Sequence, residues 1–215
     1  MFLETIRAEG LNHLSYIVGD GGSAAVIDPR RDCRLYVDLA ARHGAKITHI
    51  LETHRHEDFV TGSLELSRRT KATIHHGDSL TFKYGESIRE GYKLELGNVL
   101  SQTLETPGHT PESLSFTVSD KNFNAKPVAV FTGDTLFVGD VGRTDLYIAL
   151  KEELSGKLYD SIHKKLLPLG DHVIIYPAHG KGSVCGLNLA EREFSTIGYE
   201  RQFNPMLSKN RKDFI

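Results

Sequence analysis

Thr48-His49-Ile50-Leu51-Glu52-Thr53-His54-Arg55-His56-Glu57-Asp58-Phe59-Val60-Thr61-Gly62-Ser63 is the stretch on which the reading of this chain turns. The apolar Ile47, Ile50 and Leu51 read as a strand that runs into a polar cluster, residues 53–58. Gly62 and the periodic Leu64-Glu65-Leu66 then read as a helix start. Side chains alternate along a strand, so two histidines two residues apart at a strand end are expected to point the same way. Metal ions need such convergence, and imidazole nitrogen is among their commonest ligands. Any further ligands must come from elsewhere in the chain.

The rest of the sequence bounds what such a site can serve. A chain of 215 residues suffices for one sizeable core. With 39% hydrophobic and 25% charged residues it is an ordinary globular composition, which argues against disorder. A formal net charge of -2 offers no basic face for nucleic acid. No run of about 18 apolar residues indicates a membrane span, and the N-terminus, with an early Glu4, does not resemble a secretion signal. Cys33 and Cys185 alone make no disulfide framework, so a reduced, cytoplasmic protein is the expectation.

Strands are expected at 2–6, 15–18, 24–27, 47–52 and 72–75, with helices at 34–43 and 60–69. After residue 90 come strands at 92–96, 100–105, 114–118 and 128–132. A helix over 151–166 places Leu154, Leu158, Ile162 and Leu166 four apart, and a strand at 173–176 stops at Pro177. A last helix is expected over 187–198. The order suggests two sheets packed together with helices outside, a layered α/β arrangement. The boundaries expected are a single domain over 1–205 and a polar tail, or the start of a linker, over 206–215.

Three further stretches repeat the pattern of an apolar strand followed by ligand-type residues beside small ones. They are Leu104-Glu105-Thr106-Pro107-Gly108-His109-Thr110, Val130-Phe131-Thr132-Gly133-Asp134-Thr135-Leu136-Phe137 and Ile175-Tyr176-Pro177-Ala178-His179-Gly180. Singly, each His is also read as a loop residue and the Asp as a turn or cap. Together, T-H-x-H-x-D, P-G-H-T, G-D-T-L-F and Y-P-A-H-G resemble the metallo-β-lactamase superfamily over residues 10–205. That resemblance implies a four-layer αββα sandwich with metal at one edge of the two sheets.

The common pattern of that superfamily is H-x-H-x-D-H, which serves two metals. Its dinuclear hydrolases imply one site from His54, His56 and His109, and a second from Asp58, a His at position 59 and His179, with Asp134 bridging. Phe59 stands where that histidine belongs, and it cannot bind a metal. Gly139-Asp140-Val141-Gly142-Arg143-Thr144-Asp145 instead resembles the G-x-x-G-R-T-D of the persulfide dioxygenases. That resemblance implies one Fe(II) per chain on His54, His109 and Asp134, a two-His, one-carboxylate set that leaves positions open for oxygen and substrate. His56, Asp58, His179 and Phe59 then support the site without binding the metal. Zinc has no accessible redox change, so oxidation of a persulfide sulfur requires such a metal.

Gly182-Ser183-Val184-Cys185-Gly186, Ser195–Arg201 and Asn204-Pro205 resemble the subtype often fused to rhodanese domains, which makes a sulfurtransferase a partner to test. The expected activity is oxidation of a thiol persulfide, such as glutathione persulfide, with O2 to sulfite and thiol. A zinc-dependent thioester hydrolase of glyoxalase II type and a non-catalytic sulfur carrier or partner-binding module are the alternatives. Arg143, Cys185 and Tyr176 are expected at the substrate, as carboxylate holder, sulfur relay and cleft wall. For each there is a plainer reading: Arg143 bracing Asp145, Cys185 as a small buried residue, Tyr176 as packing. His13, His75 and His76 read as solvent-facing or second-layer residues. A homo-oligomer is left open.

Overall fold

The computed structural model describes every residue except 9, 125 and 187. Two six-stranded mixed sheets stack face to face. The first has the order β1 (Phe2–Ala8), β2 (His13–Asp20), β3 (Ser23–Ile27), β4 (Lys46–Leu51), β5 (Thr73–Gly77), β6 (Glu86–Ile88). The second has the order β12 (Ser195–Thr196), β11 (Ile174–Pro177), β10 (Pro127–Gly133), β9 (Leu114–Asp120), β8 (Val99–Glu105), β7 (Lys93–Leu96). Helices α1 (Cys33–Arg42) and α2 (Ser63–Thr70) cover the first sheet, and α3 (Lys151–Ser161), α4 (Ile197–Phe203) and α5 (Arg211–Phe214) the second. This is the expected αββα sandwich.

Period-2 alternation builds the layers. On β2, Leu14, Tyr16 and Val18 face the second sheet and meet Leu114, Phe116, Val118 and Phe131. Ile17, one residue out of phase, packs under α1 and α2 with Tyr36, Ile50 and Leu66. Both faces of the strand are covered, so β2 is buried nearly end to end. Behind the second sheet, Leu158, Ile162 and Leu166 pack on Val130 and Ile175. Burial of each such side chain contributes at most about 3 kcal/mol. Among the described residues no helix is long and apolar enough to cross a membrane.

Four expectations give way. The helix over 151–166 stays regular only to Ser161; a wider turn over 162–166 and a tighter one to Leu169 follow, where Pro168 supplies no N–H. No helix covers the described residues of 187–196: Ser195 and Thr196 pair with β11 as an edge strand, and Thr196 caps α4 by accepting the Tyr199 N–H at 3.1 Å. Residue 187 of that expected helix lies outside the described residues. Residues 206–215 are docked rather than trailing, because Leu207 and Phe214 bury against the cluster of Leu158 and Ile162. His13, His75 and His76 are buried, not solvent-facing, since both faces of β2 and β5 are covered.

Candidate metal centre

Four loops meet at one edge of the sandwich, just past the ends of β4, β8, β10 and β11. The N–H of Leu114 donates to the carbonyl of Thr53 at 2.6 Å, which ties the loop after β4 to the second sheet. Gly133 (φ +54°) permits the same approach from β10, because a side chain there would lie 2.7 Å from the Thr53 side chain. These contacts bring His54, His109 and Asp134 together, buried, with their donor atoms all within 4.8 Å of one another. Asp134 Oδ2 is 3.3 Å from His109 Nε2 and 3.7 Å from His54 Nε2.

Each of the three is held from behind. His109 Nδ1–H donates to the carbonyl of Arg143 at 2.8 Å, so its Nε2 carries the free lone pair. His54 Nδ1 lies 2.9 Å from Thr53 Oγ1, whose own proton goes to Asp28 Oδ2 at 2.6 Å, so His54 likewise presents Nε2. Asp134 Oδ1 accepts from His179 Nδ1 at 2.7 Å. Burial, aided by His56, keeps the His54 imidazole neutral. Burial alone would protonate Asp134, but the charged His179 beside it outweighs burial and holds the carboxyl well below the usual range.

Asp134 Oδ2 is fully buried and has no hydrogen-bond partner among the described residues. A carboxylate oxygen left bare beside two free imidazole nitrogens is a costly arrangement unless a cation completes it. Two nitrogens and an oxygen at these separations suit a divalent transition metal, and the residues present fit one.

The remaining expected residues fall in different places. His56 does not converge with His54: β4 ends at Leu51, so the strand alternation no longer governs the loop. Its Nε2 lies 3.1 Å from Asp28 Oδ1. Burial lowers its pKa, but Asp28 wins and raises it. His179 sits between carboxylates, with Nε2 3.0 Å from Asp58 Oδ2. Burial would favour the neutral ring, yet Asp134 and Asp58 push its pKa up to about 10. Asp58, His179 and Cys185 form a second group of potential donors within 4.8 Å. The Cys185 thiol is kept protonated by burial and by the charges of Asp134 and Asp58. Phe59 packs between the rings of His13 (4.3 Å) and His56 (4.5 Å).

A cleft of about 220 Å³ opens over the centre, lined by His54, Glu57, Asp58, His109, Arg143, Leu146, Val184 and Cys185. Arg143 lines the cleft and braces it as well: Nε and Nη2 donate to Asp145 at 2.6 and 2.9 Å, and Nη1 to the carbonyl of Val184 at 3.3 Å. Two guanidinium N–H groups remain. Tyr176, expected at the substrate, packs instead against Tyr16, Phe131 and Phe194 and takes no part in the cleft lining. It faces the interior between the sheets, as alternation on β11 requires. Asp28 and Leu146 take part without standing among the candidates, and His13, expected to face solvent or a second layer, packs beside His56 and Phe59. An aspartate ending a buried strand is the one sequence signal for Asp28, and nothing local distinguishes Leu146.

A sequence model of the metallo-beta-lactamase superfamily matches residues 8–179. The mouse protein named persulfide dioxygenase ETHE1, mitochondrial, is 31% identical over 209 residues, covering 94% of this chain and 74% of that protein. The Haemophilus influenzae hydroxyacylglutathione hydrolase GloC is 29% identical over 216 residues, covering 90% and 92%. A metallo-beta-lactamase crystal structure from Staphylococcus aureus superposes with a TM-score of 0.91 at 35% identity; it covers 99% of this chain, and this chain spans 65% of it. On the family match, the layered fold and the donor cluster at its edge, the chain belongs to the metallo-beta-lactamase superfamily.

Proposed function

We propose that this chain is a persulfide dioxygenase acting on a low-molecular-weight thiol persulfide at one ferrous ion per chain, held by His54, His109 and Asp134. The balanced reaction is RSSH + O2 + H2O giving RSH, sulfite and two protons. The observation that carries it is the grouping of two histidines and one carboxylate without His56. The similarity to the mouse persulfide dioxygenase supports the same reading. His54, His109 and Asp134 would hold the ferrous ion, which would supply redox chemistry toward an anionic sulfur and O2.

The protein's share of the work is to position and to shield. Thr53 and the Arg143 carbonyl keep both imidazoles turned with Nε2 inward. His179, charged between Asp134 and Asp58, offsets the negative charge that the carboxylates bring to the site. Leu146 and Val184 line the cleft where the sulfur enters, and the two spare N–H groups of Arg143 suit a carboxylate on the thiol body. Phe59 and His13 fill the space beside His56 and keep water from that side. Cys185 lies where a substrate sulfur would pass. A sulfurtransferase is the partner to test for delivery of the persulfide.

Anaerobic purification, metal analysis and oxygen uptake with a glutathione persulfide donor test the reading. Near-stoichiometric iron and persulfide-dependent oxygen uptake with sulfite release are expected. The rival is a zinc thioester hydrolase, favoured by the second donor group around Asp58, His179 and Cys185 and by the similarity to GloC. Stoichiometric zinc with thioester turnover and no oxygen uptake establishes the rival instead.

A further inference from the structure

Residues 143–147 build one wall of the cleft, through Arg143 and Leu146. Both ends of this segment are tied to other walls. At the first end Arg143 holds Asp145 within the segment and donates from Nη1 to the carbonyl of Val184 at 3.3 Å. At the second end the Tyr147 hydroxyl oxygen accepts from Arg55 Nη2 at 3.2 Å, and Arg55 Nε donates to Glu57 Oε1 at 3.1 Å. Val184 and Glu57 both line the cleft, so each tie joins two of its walls. From behind, Thr144 Oγ1 lies 2.6 Å from Ser155 Oγ on α3. Leu146 thus sits between two braced points, and it moves outward only when one of them lets go.

The walls so joined enclose about 220 Å³. Sites that enclose a drug-sized ligand hold roughly 300–1,000 Å³. A tripeptide thiol is a ligand of that size, whereas a single amino acid with a persulfide is well below it. The lining also has a polarity. The two spare N–H groups of Arg143 suit a carboxylate, and Glu57 has a second oxygen that suits an ammonium group. Leu146 and Val184 offer no hydrogen bond to the peptide groups of a longer thiol, which lose water there without compensation.

We propose that the cleft selects an amino-acid-sized zwitterionic persulfide, of which cysteine persulfide is the type, over a tripeptide persulfide. Leu146 sets the size limit, and the Arg55–Tyr147 hydrogen bond holds Leu146 in place. This inference rests on the dioxygenase reading and goes beyond it by naming the class of thiol and the residues that choose it.

The test compares kcat/KM for cysteine persulfide and glutathione persulfide, from oxygen uptake by the iron-loaded protein. Wild type is expected to favour cysteine persulfide about tenfold, the scale of a misfit of one methylene or more. Leu146→Ala should raise the glutathione-to-cysteine ratio about tenfold, for the same reason. Tyr147→Phe removes only the hydroxyl oxygen that Arg55 holds, and should raise the ratio about fivefold, the scale of one hydrogen bond. A merely structural role would lower both rates together and leave the ratio where it was. Anaerobic titration of cysteine and of glutathione into the ferrous–nitrosyl form, followed by EPR, should give the same order of affinities without turnover. Glu57→Gln should cost cysteine persulfide about tenfold more than 3-mercaptopropionate persulfide, which lacks the ammonium group.

Equal or better use of glutathione persulfide by wild type overturns the proposal, and so does an unmoved ratio in Leu146→Ala. An unmoved ratio in Tyr147→Phe alone removes the hydrogen bond from the size limit, and equal losses in Glu57→Gln remove the ammonium contact. Absence of oxygen uptake with every persulfide sinks the dioxygenase reading itself, whereas uptake that favours the tripeptide sinks only the size limit.

Discussion

Two donor groups share the edge of this sandwich, on either side of Asp134. In the first, every member is braced: His54 by Thr53, His109 by the Arg143 carbonyl, Asp134 by His179. In the second, the Cys185 thiol is held protonated, and His179 already spends both nitrogens, one on Asp134 and one on Asp58. Phe59 stands where the superfamily's second site has a histidine. The contrast teaches that residue type nominates a ligand, but the partner behind it decides whether the ligand is presented. Under the proposed function the first group holds the metal and the second is a charged flank.

The largest expected effects break the contrast outright. His109→Ala and Asp134→Ala should abolish iron binding in anaerobic metal analysis, a loss greater than the roughly 100-fold that a supporting residue costs. His179→Ala should keep most of the iron at saturating metal; if it empties the site as completely, the two groups are one. Next is the scaffold behind the first group. Leu158, 1% exposed, lies where any side chain at Gly108 would collide, so it backs the loop that carries His109. Leu158→Ala should destabilise the fold by about 3 kcal/mol in urea unfolding.

Arg143→Met should raise KM for an acidic thiol persulfide about tenfold, roughly one charge-assisted contact, with iron content unchanged. Its backbone carbonyl still holds His109, so a loss of iron would instead make the side chain part of the bracing. The smallest effect is a titration outside both groups. Burial and the neighbouring His49 lower the pKa of His75 to about 4, whereas in an unfolded chain it is about 6.5. Between those values the unfolded chain binds the proton and the folded one does not. Stability is therefore full above about pH 6.5 and is lost as pH falls toward 4. His75→Asn should flatten that part of the stability–pH curve.

Much of this was legible in the sequence, for identifiable reasons. The αββα layering follows from strands such as β2, where alternate residues serve two different cores. The stretches around His54, His109, Asp134 and His179 carry small residues, Gly108 and Gly133 among them, that only a crowded loop requires. The helix expected over 187–198 failed because the pairing of Ser195 and Thr196 with β11 is a long-range contact with no local pattern. Tyr176 was misplaced because its strand position leaves open which face of a doubly covered sheet it joins.

By itself the sequence determined the family of folds, the four loops that carry ligand chemistry and the replacement of a histidine by Phe59. Those are properties of residue order, and alternation or composition expresses them locally. Only the tertiary structure decided that His54 and His56 part company. Strand geometry ends at Leu51, and beyond it the direction of each ring is set by its partner, Thr53 for one and Asp28 for the other. Asp28 lies 26 residues before His54 in the chain but only a hydroxyl away in space. No spacing rule reaches across that distance; the packing of β3 against β4 does.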